Sequence, residues 1–151
     1  RLTVIQNLKV YAKLYGVVHP IDRLEDISRL FELGPLLNRR FGSLSAGQKT
    51  RVSLAKALIN QPELLLMDEP TAALDPDTAD RMRETLLNYQ RQKNATIFMS
   101  SHNMPEVEKL CHRVLMMRNG QLVDEGTPEM LIEKYGRNTL EEVFIDIARG
   151  R

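Results

Sequence analysis

The sequence predicts an α/β protein whose core is preceded by a helical portion. Three observations carry this. Amphipathic helical patterns fill the front of the chain, and a continuous apolar run, Leu64-Leu65-Leu66-Met67, then opens an alternation of strands and helices. Near the end, Asn119-Gly120 turns a hairpin.

Taken in order, Thr3 caps a helix whose apolar residues Val4, Leu8, Tyr11 and Tyr15 recur at helical spacing up to Gly16. Leu24, Ile27, Leu30 and Phe31 repeat the pattern after Pro20, and Gly34-Pro35 ends it. A polar turn, Asn38-Arg39-Arg40-Phe41-Gly42, leads to a third helix starting near Ser45. That helix carries Val52, Ala55, Leu58 and Ile59 on one face until Asn60-Gln61-Pro62 stops it. The run Leu64–Met67 has the character of a central parallel strand covered on both faces. Asp75-Pro76 reads as an N-cap with a first-turn proline, opening a helix through about Arg91. Ala95 to Ser100 is a second strand, Met104 to Cys111 a short helix and Val114 to Met117 a third strand, which the hairpin joins to Gln121 to Asp124. Thr127-Pro128 opens another helix, and Leu140, Val143, Phe144 and Ile147 mark a final amphipathic one.

A chain of 151 residues corresponds to one domain or a large part of one. The 42% hydrophobic and 27% charged content excludes a disordered tail, and the single cysteine, Cys111, excludes a disulfide scaffold and fits a reducing compartment. With 21 Lys+Arg against 20 Asp+Glu, charge alone gives no reason to expect a nucleic acid or an acidic membrane as partner. No apolar run approaches the roughly 20 residues of a membrane span. Arg1 is not an initiator Met, and a helical pattern begins almost at once, so the start reads as a cut edge.

Several motifs carry chemistry. Asp68-Glu69 stands at the end of the first strand, where open α/β sheets place ligands and catalytic groups. One carboxylate there suits Mg²⁺ held through its water shell, and a second suits polarisation of an attacking water. A solvated acidic pair in a loop is the plain alternative. Leu44-Ser45-Ala46-Gly47-Gln48 places a hydroxyl and a close-approach glycine at a helix N-terminus, an anion-binding arrangement, or simply an N-cap and a turn. His102 follows the second strand, on the sheet edge that carries Asp68 and Glu69. It reads as a phosphate contact or as an ordinary strand-end residue. Asp75 is explained by capping alone. The stretch Gly42 to Thr50 nearly spells a phosphate-binding loop, but Gln48 separates the glycine from the lysine and no strand precedes it. There is no G-x-S-x-G elbow and no thiolate metal set, and the seven methionines read as core filling.

In order along the chain, Leu44-Ser45-Ala46-Gly47-Gln48, Leu64 to Thr71, Ala73-Leu74-Asp75 and His102 resemble the signature, Walker B strand, D-loop and switch histidine of an ABC transporter ATP-binding domain. The tail Glu125-Gly126-Thr127-Pro128-Glu129 and Leu140 to Phe144 resembles ATPase subunits of multidrug-type (ABC-2) exporters. The resemblance implies the back portion of a P-loop NTPase-like (RecA-like) core preceded by an α-helical signature subdomain. The corresponding divisions are 1–61 for that subdomain, 62–126 for the second part of the core and 127–151 for C-terminal helices.

The roles follow residue by residue as implications of the resemblance. Asp68 supports Mg²⁺, Glu69 acts as general base, and His102 contacts the γ-phosphate. Ser45, Gly47 and Gln48 clamp ATP bound by an opposing domain, and Asp75 communicates across that dimer. The implied partners are a second ATP-binding domain and a separate transmembrane permease, with no nucleic acid. The implied place is the cytoplasmic face of the membrane, held there through the permease. Two positions depart from the pattern: Ala46 replaces the usual first signature glycine, and Ala73 stands where serine is common. The Walker A and Q-loop motifs are missing from these residues, so the isolated chain is expected to be inactive. Two other classes stay open: a non-transport ABC ATPase of DNA repair or translation, and a non-catalytic half-domain.

Overall fold

The computed structural model describes residues 2–150; Arg1, read above as a cut edge, lies outside them, as does Arg151. The chain divides into two compact units, Arg1–Ser100 and Ser101–Arg151, each with its own buried core.

The first unit opens with α1 (Val4–Leu14), α2 (Pro20–Leu30) and α3 (Ala46–Leu58). Thr3 caps α1 through a capping box, its hydroxyl accepting from Gln6 N–H while the Gln6 side chain takes the Thr3 N–H. Val4, Leu8 and Ala12 stack at helical spacing on the buried face of α1, against Leu24 and Ile27 of α2 and Val52, Ala55 and Leu58 of α3. Each leucine buried this way contributes about 1.5–3 kcal/mol.

Two arginines tie α2 and α3 together at opposite ends. Arg23 of α2 donates to the carbonyls of Leu58 and Ile59, where α3 ends. Arg51 of α3 donates to the carbonyls of Phe31 and Glu32, where α2 ends. The Ile59, Phe31 and Glu32 carbonyls lie past the last helical bonds, where a terminus leaves acceptors open, and the Leu58 carbonyl shares its arginine bond with the Gln61 N–H at 3.1 Å.

After α3 come β1 (Leu64–Asp68), α4 (Pro76–Lys93) and β2 (Thr96–Ser100). The strands pair in parallel, with Leu64 opposite Thr96 and Asp68 opposite Ser100. The α4 residues Met82, Leu86 and Tyr89 pack into the same core as Leu65, and the Tyr89 hydroxyl donates to the Pro62 carbonyl at 2.6 Å.

The second unit contains α5 (Met104–Leu110), β3 (Val114–Arg118), β4 (Gln121–Gly126), α6 (Pro128–Tyr135) and α7 (Leu140–Arg149). Strands β3 and β4 form an antiparallel hairpin, turned by Asn119 and Gly120, both at positive φ (52° and 76°) as a primed two-residue turn requires. Val114 and Met116 bury one hairpin face against Leu131, Leu140, Val143 and Ile147. Polar ties close the unit. Lys134 reaches Asp124 at 2.7 Å, Arg137 reaches Asp146 at 2.6 Å, and Arg118 donates to the Ile147 carbonyl at 2.9 Å.

Some expectations are corrected. The strand read as covered on both faces buries Leu65 but leaves Leu64 and Leu66 exposed, at 55% and 71%, together with Phe98 of β2. Alternate residues of a strand face opposite sides, and among the described residues only one side of this pair is packed. Leu30 and Tyr15, placed on apolar helix faces by spacing, are exposed because each sits in the last turn or just beyond it. Of the methionines, Met82, Met104 and Met116 fill cores, whereas Met117 and Met130 are exposed.

Candidate functional site

The acidic pair is built by the last rung of the parallel pair. Asp68 ends β1 directly opposite Ser100, whose hydroxyl donates to Asp68 Oδ1. Pairing continues one residue further: the Glu69 N–H donates to the Ser100 carbonyl at 3.0 Å. There the backbone turns sharply, with Glu69 at φ 46°. A left-handed conformation costs a non-glycine residue about 1–2 kcal/mol, so the surrounding bonds hold it there. Those bonds include Ala72 N–H to the Glu69 carbonyl and Leu74 N–H to the Thr71 carbonyl, at 3.3 and 3.0 Å. Pro70 and Thr71 are buried, while the Asp68 side chain faces solvent.

The N-terminus of α3 lies against the loop that follows this turn. Ser45 caps α3, its Oγ accepting from the Gln48 N–H at 3.3 Å while the Gln48 side chain accepts the Ser45 N–H at 3.1 Å. A Cβ on Gly47 would lie 2.9 Å from the carbonyl oxygen of Ala73. The close approach read from sequence as room for a ligand is therefore made, in this chain, by a main-chain oxygen of its own next loop.

That loop delivers Asp75 as the N-cap of α4, its carboxylate accepting from Thr78 N–H at 3.0 Å. The Thr78 amide and hydroxyl hold the Asp75 carboxyl below the usual carboxylate range, with Arg81 helping. Arg81 also reaches Asp77 at 2.8 Å and Glu32 at 3.8 Å, and Glu32 meets Arg51 at 3.6 Å. Ion pairs thus run from α3 through the end of α2 to α4. The exposed ones contribute little individually.

His102 belongs to the second unit, in the short stretch before α5, and is exposed. Its neighbour Ser101 donates to Glu106 at 3.2 Å and accepts the Asn103 N–H at 3.1 Å. Glu106 is buried, at 2% exposure, and Asn103 caps α5. Burial pushes the Cys111 thiol up, the direction opposite to an activated nucleophile.

Among the described residues no cluster of three or more His, Cys, Asp or Glu is arranged to hold a metal. A lone exposed carboxylate beside a hydroxyl does suit a hard ion such as Mg²⁺, which keeps most of its waters and needs only one or two carboxylates. It does not suit zinc.

Residues 1–72 match the family model described as ABC transporter. Over 153 residues the chain is 37% identical to the ABC transporter ATP-binding protein NatA of Bacillus subtilis (strain 168), a match covering 99% of this chain and 62% of NatA. The chain thus carries ABC transporter family sequence over residues 1–72 and is similar to an ABC ATP-binding protein over nearly all its length. Its fold agrees: the solved ATP-binding subunit of an ABC transporter superposes with a TM-score of 0.87 at 26% identity, over 97% of this chain and 62% of that one. A second ATP-binding cassette, solved as a dimer in a post-hydrolysis state with ADP and Pi, gives 0.75 at 25% identity, over 83% and 56%. The chain therefore spans less than two thirds of NatA and of both solved structures.

The structure brings Ser45, Gly47, Gln48, Asp68, Glu69 and Asp75 into one unit and puts His102 in the other. Among the described residues no helix is long and apolar enough to cross a membrane. Sequence reasoning missed Ser100, which touches both acidic residues, and the Glu32–Arg51–Arg81 pairs. The available signal for Ser100 was its place opposite Asp68 once two parallel strands of equal length are aligned.

Proposed function

We propose that this chain is part of an ATP-hydrolysing ABC subunit that works as a dimer of ATP-binding domains and drives export through a separate permease. The observation that carries it is the acidic pair at the carboxyl end of β1. There Asp68 is held by the Ser100 side chain, and Glu69 is turned out of the strand at φ 46°.

In this reading the Glu69 carboxylate accepts the proton of a water whose oxygen attacks the γ-phosphorus. The bond from that phosphorus to the β–γ bridging oxygen breaks, leaving ADP and phosphate. His102 contacts the γ-phosphate and holds the water in line. Asp68 supports Mg²⁺, which when bound neutralises developing phosphoryl charge. Ser45, Gly47 and Gln48, at the positive end of α3, clamp ATP carried by the opposing domain, and Asp75 communicates across that interface. Their exposure on one unit supports an intermolecular role for Ser45 and Asp75. The 1–61 segment then acts as the signature subdomain, 62–126 as the second part of the core and 127–151 as the C-terminal helices. The exporter resemblance of the tail favours a peripheral position at the cytoplasmic membrane face, bound to a permease, with no nucleic-acid partner.

These 151 residues contain no G-x-x-x-x-G-K-[ST] loop, so on their own they are expected neither to bind ATP tightly nor to turn it over. The test is Mg-ATP turnover by the protein at its full natural length, with Glu69→Gln beside it. Turnover lost in Glu69→Gln with ATP binding retained supports the reading. Undiminished turnover in that variant sinks it.

A further inference from the structure

We propose that Ser100 is a positioning residue that fixes the orientation of the Asp68 carboxylate; this rests on the reading of Asp68 as the cation-supporting group. Nothing in the motifs assigns Ser100. Its position comes from register: it ends β2 directly opposite Asp68, so the two side chains leave the sheet on the same side.

An exposed aspartate at a strand end has two free side-chain torsions and no intrinsic reason to hold one oxygen toward a ligand. Here the Ser100 hydroxyl donates to Oδ1. The Ser100 backbone is itself fixed by the five paired rungs from Leu64–Thr96 to Asp68–Ser100. With Oδ1 engaged, Oδ2 is the oxygen left to meet a hydrated hard cation. The same residue holds the second carboxylate by a different means, its carbonyl accepting the Glu69 N–H at 3.0 Å. One serine thus holds Asp68 through its side chain and Glu69 through its main chain. Substituting the side chain removes the first tie and spares the second, so the two can be told apart. Outer-shell partners that orient a ligating carboxylate typically change metal affinity 10–100-fold.

The experiment compares Ser100→Ala and Ser100→Thr with the unsubstituted protein at full natural length. Mn²⁺ binding in the presence of ATP is followed by water-proton relaxation. The expected result is about 10-fold weaker Mn²⁺ binding in Ser100→Ala and recovery to within about 2-fold in Ser100→Thr. Glu69 amide exchange and the urea midpoint stay unchanged. Unchanged Mn²⁺ affinity in Ser100→Ala, or failure of Ser100→Thr to restore it, overturns the proposal. If the unsubstituted protein takes up no Mn²⁺ with ATP, the cation reading of Asp68 falls, and the ¹³C resonance of the Asp68 carboxyl decides Ser100 alone. Movement in Ser100→Ala that Ser100→Thr reverses upholds the positioning contact, and an unmoved resonance overturns it.

Discussion

Gly47 and Ala73 meet backbone to backbone: a methyl on Gly47 would lie 2.9 Å from the Ala73 carbonyl oxygen, closer than side chains are found to approach. The contact links the first turn of α3 to the loop between β1 and α4. These are the two segments that resemble the signature and the D-loop.

Gly47→Ala is therefore expected to destabilise the protein by about 1–3 kcal/mol, the usual cost of overpacking. The Ala73 carbonyl has little freedom to retreat, because its neighbour Leu74 is bonded back to Thr71 at 3.0 Å. Gly42→Ala is the control: nothing lies within 4 Å of its added methyl, and its φ is not in the left-handed region. Urea midpoints of the two variants decide the matter, and equal midpoints would remove the contact's significance.

Ser45 carries a cap and, in the proposed function, a phosphate contact. Ser45→Ala loses the Oγ bond to Gln48 and is expected to cost about 1 kcal/mol of stability. Ser45→Asp keeps a capping oxygen and the thermal midpoint, yet sets a negative charge where a phosphate would lie. ATP-dependent dimerisation of the protein at full natural length, measured by sedimentation, is expected to fail in Ser45→Asp. If it persists, Ser45 is a cap alone.

At Glu69 the backbone and the side chain predict opposite responses. In the protein at full natural length, Glu69→Gln leaves φ at 46° and, on the proposed function, is expected to abolish turnover. Glu69→Gly and Glu69→Ala both lack the carboxylate, but only glycine relieves the left-handed strain, so Glu69→Gly is expected to be the more stable of the two by up to about 1 kcal/mol. Thermal melts of the pair make the comparison. A Glu69→Gly no more stable than Glu69→Ala contradicts the strain at this position.

The second unit has a pH signature. The Lys134 ammonium, 2.7 Å from Asp124, holds that carboxyl below its usual range, and Asp124 in turn raises Lys134. Burial and the bond to Asp124 raise Tyr135. A lowered carboxyl stabilises the fold above its unfolded value, near 3.9 for aspartate, and that stabilisation is lost as pH falls through the lower folded value. The raised Lys134 and Tyr135 act at the other end. Their contribution is complete below about pH 10 and is lost as pH rises through their folded values. Asp124→Asn is expected to flatten the acid limb and lower the plateau, read from urea midpoints across pH. An acid limb unaltered by the substitution counts against the assignment.

Much of this was legible in advance, for reasons local to the chain. Thr3, Ser45, Asp75, Thr127 and Asn119-Gly120 each announce a cap or turn through chemistry within three residues, and each stands where it was expected. Asp68-Glu69 was legible because an apolar run led straight into it. The tie from Ser100 to Asp68 spans 32 residues and depends on strand register, which no local pattern states. Gly47 was read correctly as a close-approach glycine, but the identity of its neighbour depended on how the Ala73 loop folds back. Exposure of Leu64 and Leu66 was hidden because a continuous apolar run records what a strand can bury, not what covers it.

The reciprocal arginines of α2 and α3 bear on how this region is made and unmade. The arginine bonds to the Ile59, Phe31 and Glu32 carbonyls form only once the two helices have docked, so each closing turn gains them late. The two ends are interlocked in time as well as in space. Fraying at Leu58 and Ile59 releases Arg23 of α2, and fraying at Phe31 and Glu32 releases Arg51 of α3. Amide protection in the two closing turns is thus expected to rise and fall together, as one opening event shared by helices that lie far apart in sequence.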